Sequence, residues 1–195
     1  MTKKVWNESV KSRIMLYLVN YQRNKEQLVR RPYFIFEDLA VVFRLADPKE
    51  PLKGEPVDHD DLNRWGIQKE ELYRYAMENM REQFPVQVKT AARNLEGLDQ
   101  EPVFIVSNRQ GIYGAGVILY PGFLKELSGQ YGWSLFLMPW SVHEVFILLD
   151  RGQFRPDQLR KMMQKNVSGL ISEQDCLSDN LYYYDFFEKQ ILTLY

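Results

Sequence analysis

The residue types best suited to chemistry stand together in Leu137-Met138-Pro139-Trp140-Ser141-Val142-His143-Glu144. A histidine followed by glutamate belongs to a helical zinc site only when a second imidazole follows four residues after the first, since that spacing puts both rings on one helix face. Ile147 holds that place, and the only other histidine is the distant His59, so no metal set results. Ser141, two residues before His143, fits a nucleophile beside a base. Ser141, His143 and Glu144 are therefore the candidate catalytic residues of a hydrolase-like or metal-assisted site. Against this, no glycine-flanked elbow surrounds Ser141, and no orienting acid can be placed. In a strand, alternate side chains point to opposite faces. His143 would then share a face with Val145, Ile147 and Leu149, and Glu144 one with Val142, Phe146 and Leu148. The pair would diverge, and its polar atoms would serve loop backbone groups at the sheet end.

The remaining clusters have plainer readings. Asp58-His59-Asp60-Asp61 offers metal-ligand types, but consecutive residues at a helix start point apart, and Asp58 has the position of an N-cap. Cys176 lies between Asp175 and Asp179, carboxylates that would raise the pKa of a thiol, so it reads as a packed loop residue. Gly111, Gly114 and Gly116 lack the following Lys-Ser/Thr of a phosphate cradle and sit between two strand-like runs. No cofactor is indicated. The aromatic end is different: Tyr182, Tyr184, Phe186 and Phe187 could carry self-association or a protein partner.

These side chains need a scaffold, and 195 residues with 45% hydrophobic and 26% charged content bound it to an ordinary globular fold, expected as one domain over 1–195. The single cysteine excludes an internal disulfide and gives no sign of an oxidising compartment. With no signal peptide and no membrane-length apolar run, the expected location is the cytoplasm, with no membrane contact. The net charge of -1 conceals a basic start, in which Lys3, Lys4, Lys11, Arg13, Arg23, Lys25, Arg30 and Arg31 face only Glu8 and Glu26. Charge pairing within the chain is one account of that start; nucleic-acid binding is the alternative.

Val10, Ile14, Tyr17, Leu18, Tyr21 and Leu28 recur at steps that predict a helix from about Glu8 to Leu28, making 1–32 a basic N-terminal helix before a sheet-and-helix body over 33–195. Leu39 to Leu45 reads as a strand. A short helix follows Asp58 and stops at Gly66, and a longer one runs from Gln68 to about Phe84. Val86 to Leu95 is compatible with either state. Val103–Val106 and Gly116–Leu119 read as a hairpin, with a helix from Pro121 to Gly132 after it. Strands over Trp133–Met138 and Val142–Leu149 turn at Pro139-Trp140-Ser141. A helix opening at Pro156 carries Leu159, Met162, Met163, Val167 and Leu170, and a terminal hairpin closes the chain. Hairpin-connected strands with helices grouped between them predict an α+β fold with a mainly antiparallel sheet.

Several segments carry a family likeness: Asp38-Leu39-Ala40-Val41-Val42-Phe43, Trp65-Gly66-Ile67, Tyr113-Gly114-Ala115, Pro139-x-Ser141-Val142-His143-Glu144-Val145, and Leu177-Ser178-Asp179 before Tyr184-Asp185. Over nearly its whole length the chain resembles a bacterial family of unknown function marked by proline-serine-serine-aliphatic-histidine-glutamate, with Trp140 standing here for the first serine. By that likeness it resembles a shortened version of the family, lacking a strand or helix that partners the first helix. The resemblance implies no activity, substrate or cofactor. The leading expectation is thus a non-enzymatic interaction or regulatory module that self-associates through its aromatic end or an uncovered face of the first helix.

Overall fold

The structure, a computed structural model, describes residues 5–50, 54–91, 102–167, 172 and 175–194. The chain forms two compact units, 1–85 and 86–195. The fold is α+β with antiparallel strand pairs, as expected, and the strands divide between two sheets.

In the first unit, α1 (Glu8–Lys11) leads into β1 (Ile14–Asn20), and α2 (Lys25–Leu28) into β2 (Phe34–Phe36), β3 (Leu39–Leu45) and the two-residue β4 (Glu55–Pro56). β1 pairs with β3 from Ile14 opposite Leu45 to Asn20 opposite Leu39, and β3 also pairs with β2 and β4. The expected helix from Glu8 to Leu28 is therefore corrected: only its two ends are helical, and its centre is a strand. The cause lies in the unbroken run Ile14 to Val19, which is buried on both faces apart from a half-buried Val19. A run apolar on both faces has no alternation, so a helical stripe can be read into it; long-range pairing with β3 decides the matter.

The helices of this unit follow local signals closely. Asp58 and Asp61 form a reciprocal capping box at the start of α3 (His59–Trp65), and Gly66 closes it at φ +69°. The carboxylates of Asp58 and Asp61 are thus engaged in capping, and Asp60 stands in the first turn. α4 (Lys69–Gln83) packs on β1, burying Leu72, Ala76 and Met80 at four-residue steps. Asn79 Nδ2 adds a tie, donating to the carbonyls of Lys11 at 2.6 Å and Ile14 at 2.9 Å.

The second unit is a six-stranded antiparallel sheet ordered β10-β9-β7-β8-β6-β5. Its strands are β5 (Val86–Thr90), β6 (Phe104–Asn108), β7 (Ser134–Met138), β8 (Val145–Asp150), β9 (Leu181–Tyr184) and β10 (Ile191–Leu194), with α5 (Phe123–Tyr131) and α6 (Pro156–Val167) between them. The expected hairpin of Val103–Val106 with Gly116–Leu119 is corrected. β6 is taken on one side by β5 and on the other by β8, while Gly114–Leu119 is a buried 3-10 helix. A Cβ on Gly114 would collide with Ser107 Oγ, the His143 carbonyl and the Asn108 nitrogen, so the 3-10 helix lies against the end of β6 at a spacing only glycine permits.

On one face of this sheet, Phe136, Met138, Phe146 and Leu148 pack with Trp140 and with Leu159 and Met163 of α6. Val167 and Leu170, expected on the same stripe, lie outside the described side chains. The terminal hairpin is present, with Ile191 opposite Tyr184 and Leu194 opposite Leu181.

Candidate functional site

The corner from Pro139 to Glu144 begins as a continuation of β7 and then changes partner. Ser178 and Leu177 donate backbone N–H groups to the carbonyls of Pro139 and Trp140, and Val142 N–H donates to Asp175 O at 2.9 Å. Ser141 and Cys176 form an isolated antiparallel bridge. Main-chain pairing thus draws 139–142 toward 175–178, and β8 starts only at Val145 instead of Val142. His143 and Glu144 are loop residues, which corrects the expectation that they belong to the strand itself.

Within this loop Ser141 is 6% exposed. Its Oγ accepts the backbone N–H of His143 at 3.1 Å and of Glu144 at 3.2 Å. Such serine turns satisfy donors that the sheet has released, and leaving a buried donor unmet costs about 1–3 kcal/mol. Ser107 completes the arrangement from β6, its hydroxyl donating to the His143 carbonyl at 2.7 Å.

The imidazole of His143 turns to other groups. Tyr113 N–H donates to Nδ1 at 3.3 Å, and the phenol ring of Tyr113 stacks on the imidazole with centroids 5.8 Å apart. Nε2 lies 3.7 Å from Asp175 Oδ1. When Nδ1 accepts a backbone N–H, the proton of a neutral ring belongs on Nε2, facing the carboxylate. Tyr113 itself is held at φ +49°, a left-handed conformation uncommon outside glycine. Among the described residues, no hydrogen bond joins Ser141 Oγ to the imidazole. The structure brings Ser141 and His143 together through the main chain, and gives the histidine an acid, Asp175, that sequence reading left unplaced.

Glu144 has different surroundings. Its side chain lines a cleft of about 330 Å³ at the end of β5 and β6, together with Gln87, Lys89, Ser107 and Arg109. His143 does not line that cleft. The two neighbours thus have different surroundings, His143 beside Tyr113 and Asp175 and Glu144 at the cleft.

The other expected sites sort as follows. Tyr182 and Tyr184 are buried, which corrects their placement on an interaction surface; Phe186 is half-buried and Phe187 is 82% exposed. Arg30 and Arg31 line a hollow of about 460 Å³ in the first unit with Glu26 and Asp58, so the basic start carries acids beside its arginines. No group of three or more metal-ligating side chains occurs among the described residues. No described helix is long and apolar enough to cross a membrane. Tyr113, Ser107 and Asp175 were missed as partners of the motif. Ser107 directly follows the apolar run Val103–Val106 and begins the polar stretch Ser107-Asn108-Arg109-Gln110, so nothing in the sequence set it apart.

These features define an α+β protein whose most distinctive loop is a serine-braced, tyrosine-stacked histidine corner between two strands. The chain belongs to a family of unknown function (DUF5688), whose model matches residues 2–186. No curated protein matches it. No solved structure matches it either.

Proposed function

We propose that the protein is a cytoplasmic interaction module that pairs with a second copy of itself through its C-terminal hairpin, and that the Ser141-His143 corner is a structural brace of that module. The observation that carries the reading is β10. It is an edge strand, so one row of its backbone donors and acceptors faces away from β9, and it exposes Leu192 at 48% beside Phe187 at 82%. Edges of this kind are usually blunted by charge or proline; an edge that keeps apolar side chains in water is suited to strand addition. The hydrolase-like alternative, with Ser141 as nucleophile, is less well supported. Ser141 Oγ accepts two backbone donors, and both imidazole nitrogens face groups other than the serine.

Deleting the hairpin would remove Leu181 and Tyr182 from the core, so surface substitutions are the better test. Size-exclusion chromatography with light scattering would compare the whole chain with Phe187→Ser/Leu192→Lys across a wide concentration range. A dimer that dissociates in the double variant, with an unchanged thermal midpoint of the folded monomer, is expected. A wild-type chain monomeric at every concentration, or a dimer indifferent to both substitutions, would overturn the proposal.

A further inference from the structure

The cleft beside Glu144 has a charge arrangement that the self-association reading does not use. In the β5–β6 register, Gln87 stands opposite Ser107 and Lys89 opposite Ile105, and in the β6–β8 register Ile105 stands opposite Phe146. Glu144, in the loop one residue before the Val106–Val145 pair, lines the cleft with Gln87 and Ser107. Lys89, Ile105 and Phe146 thus make one row across the sheet face, and Gln87 and Ser107 stand in the next, with Glu144 in the same cleft. Ile105 packs against the core cluster that holds Phe146, so the cleft has an apolar floor on one side and polar walls on the other.

With the other described residues, none of Lys89, Arg109 and Glu144 makes an ion pair, although all three line the same cleft. Two cations and one anion held apart around a hollow of about 330 Å³ present the complement of a small molecule with two carboxylates and one ammonium. A hollow of this size lies at the small end of ligand sites, which run to roughly 300–1,000 Å³.

We propose that this cleft binds a free acidic amino acid, with its carboxylates at Lys89 and Arg109 and its ammonium at Glu144. Guanidinium and ammonium groups take carboxylates by charge-assisted hydrogen bonds, and Arg109 can do so in a two-pronged fashion. Gln87 adds an amide able to donate or accept. Glu144 discriminates: a dicarboxylate without an amine gains nothing from it and is repelled.

Isothermal titration calorimetry of the whole chain with L-glutamate, and separately with glutarate, tests this. L-glutamate is expected to bind at least tenfold tighter than glutarate. Lys89→Met and Arg109→Gln should each weaken both ligands about tenfold or more. Glu144→Gln should weaken L-glutamate while leaving glutarate unchanged or tighter, a crossed response that a general loss of folding cannot produce. Absence of heat and of amide shifts near Ser107 at millimolar L-glutamate would overturn the proposal. So would equal effects of Glu144→Gln on the two ligands.

Discussion

Ser141 and His143 are joined through the main chain: the His143 N–H donates to Ser141 Oγ at 3.1 Å, while the imidazole turns to Tyr113 N–H and Asp175. A spacing that resembles a nucleophile and its base in one dimension is, in three, a hydroxyl bracing the turn that carries the ring.

Ser141→Ala should therefore lower stability. It removes the acceptor for the N–H groups of both His143 and Glu144, and each unmet buried donor costs about 1–3 kcal/mol, less where water enters. Urea denaturation is expected to show a loss of about 1–3 kcal/mol. Ser141→Thr, which keeps the oxygen, should lose less than Ser141→Ala. A stability unchanged in Ser141→Ala would remove the bracing role.

Trp140 is 4% exposed, its ring lies 4.3 Å from that of Phe146, and among the described residues its indole nitrogen is buried without a hydrogen-bond partner. Trp140→Ala should cost about 3–5 kcal/mol through lost contacts and the cavity left behind. Trp140→Phe should cost less than half as much, because an aromatic ring stays against Phe146 and the unmet donor disappears. Equal losses in the two variants would mean that the indole N–H is paired after all.

The Tyr73 phenol is pushed above its ordinary value of 10.0 by burial, and its ring meets those of Phe34 and Phe43 edge-on at 5.3 and 6.4 Å. The folded chain therefore holds this proton more tightly than the unfolded chain. Its contribution to stability is fully present below pH 10 and is lost as pH rises through the raised folded value. Thermal unfolding of Tyr73→Phe is expected to fall less steeply above pH 10 than that of the parent chain. Identical slopes would show that other groups set the alkaline limit.

How much of this was legible in the residues depended on how local the signal was. The capping box at Asp58 and Asp61, the glycine stop at Gly66 and the stripe of α4 were all readable because a few neighbouring residues determine them. β1 was not, since its run is apolar on both faces and its identity as a strand rests on pairing with Leu39–Leu45, from Asn20 opposite Leu39 to Ile14 opposite Leu45. Likewise Gly116–Leu119 looked like a hairpin partner of β6 until Val86–Thr90 and β8 occupied both sides of that strand. The His143 corner was recognisable as unusual, but its partners Tyr113 and Asp175 lie thirty and thirty-two residues distant. Nothing in the spacing of the motif could announce them.

Gly114 has a consequence beyond its own turn. Because a side chain there would strike Ser107, Asn108 and the His143 carbonyl at once, three stretches of chain are interlocked at a point with no slack. Ser107, which lines the cleft with Lys89 and Glu144, also donates to the His143 carbonyl, and the tyrosine-stacked imidazole belongs to that same histidine. A hydrogen atom in place of a methyl group is what lets the 3-10 helix, the end of β6 and the His143 loop meet at one point.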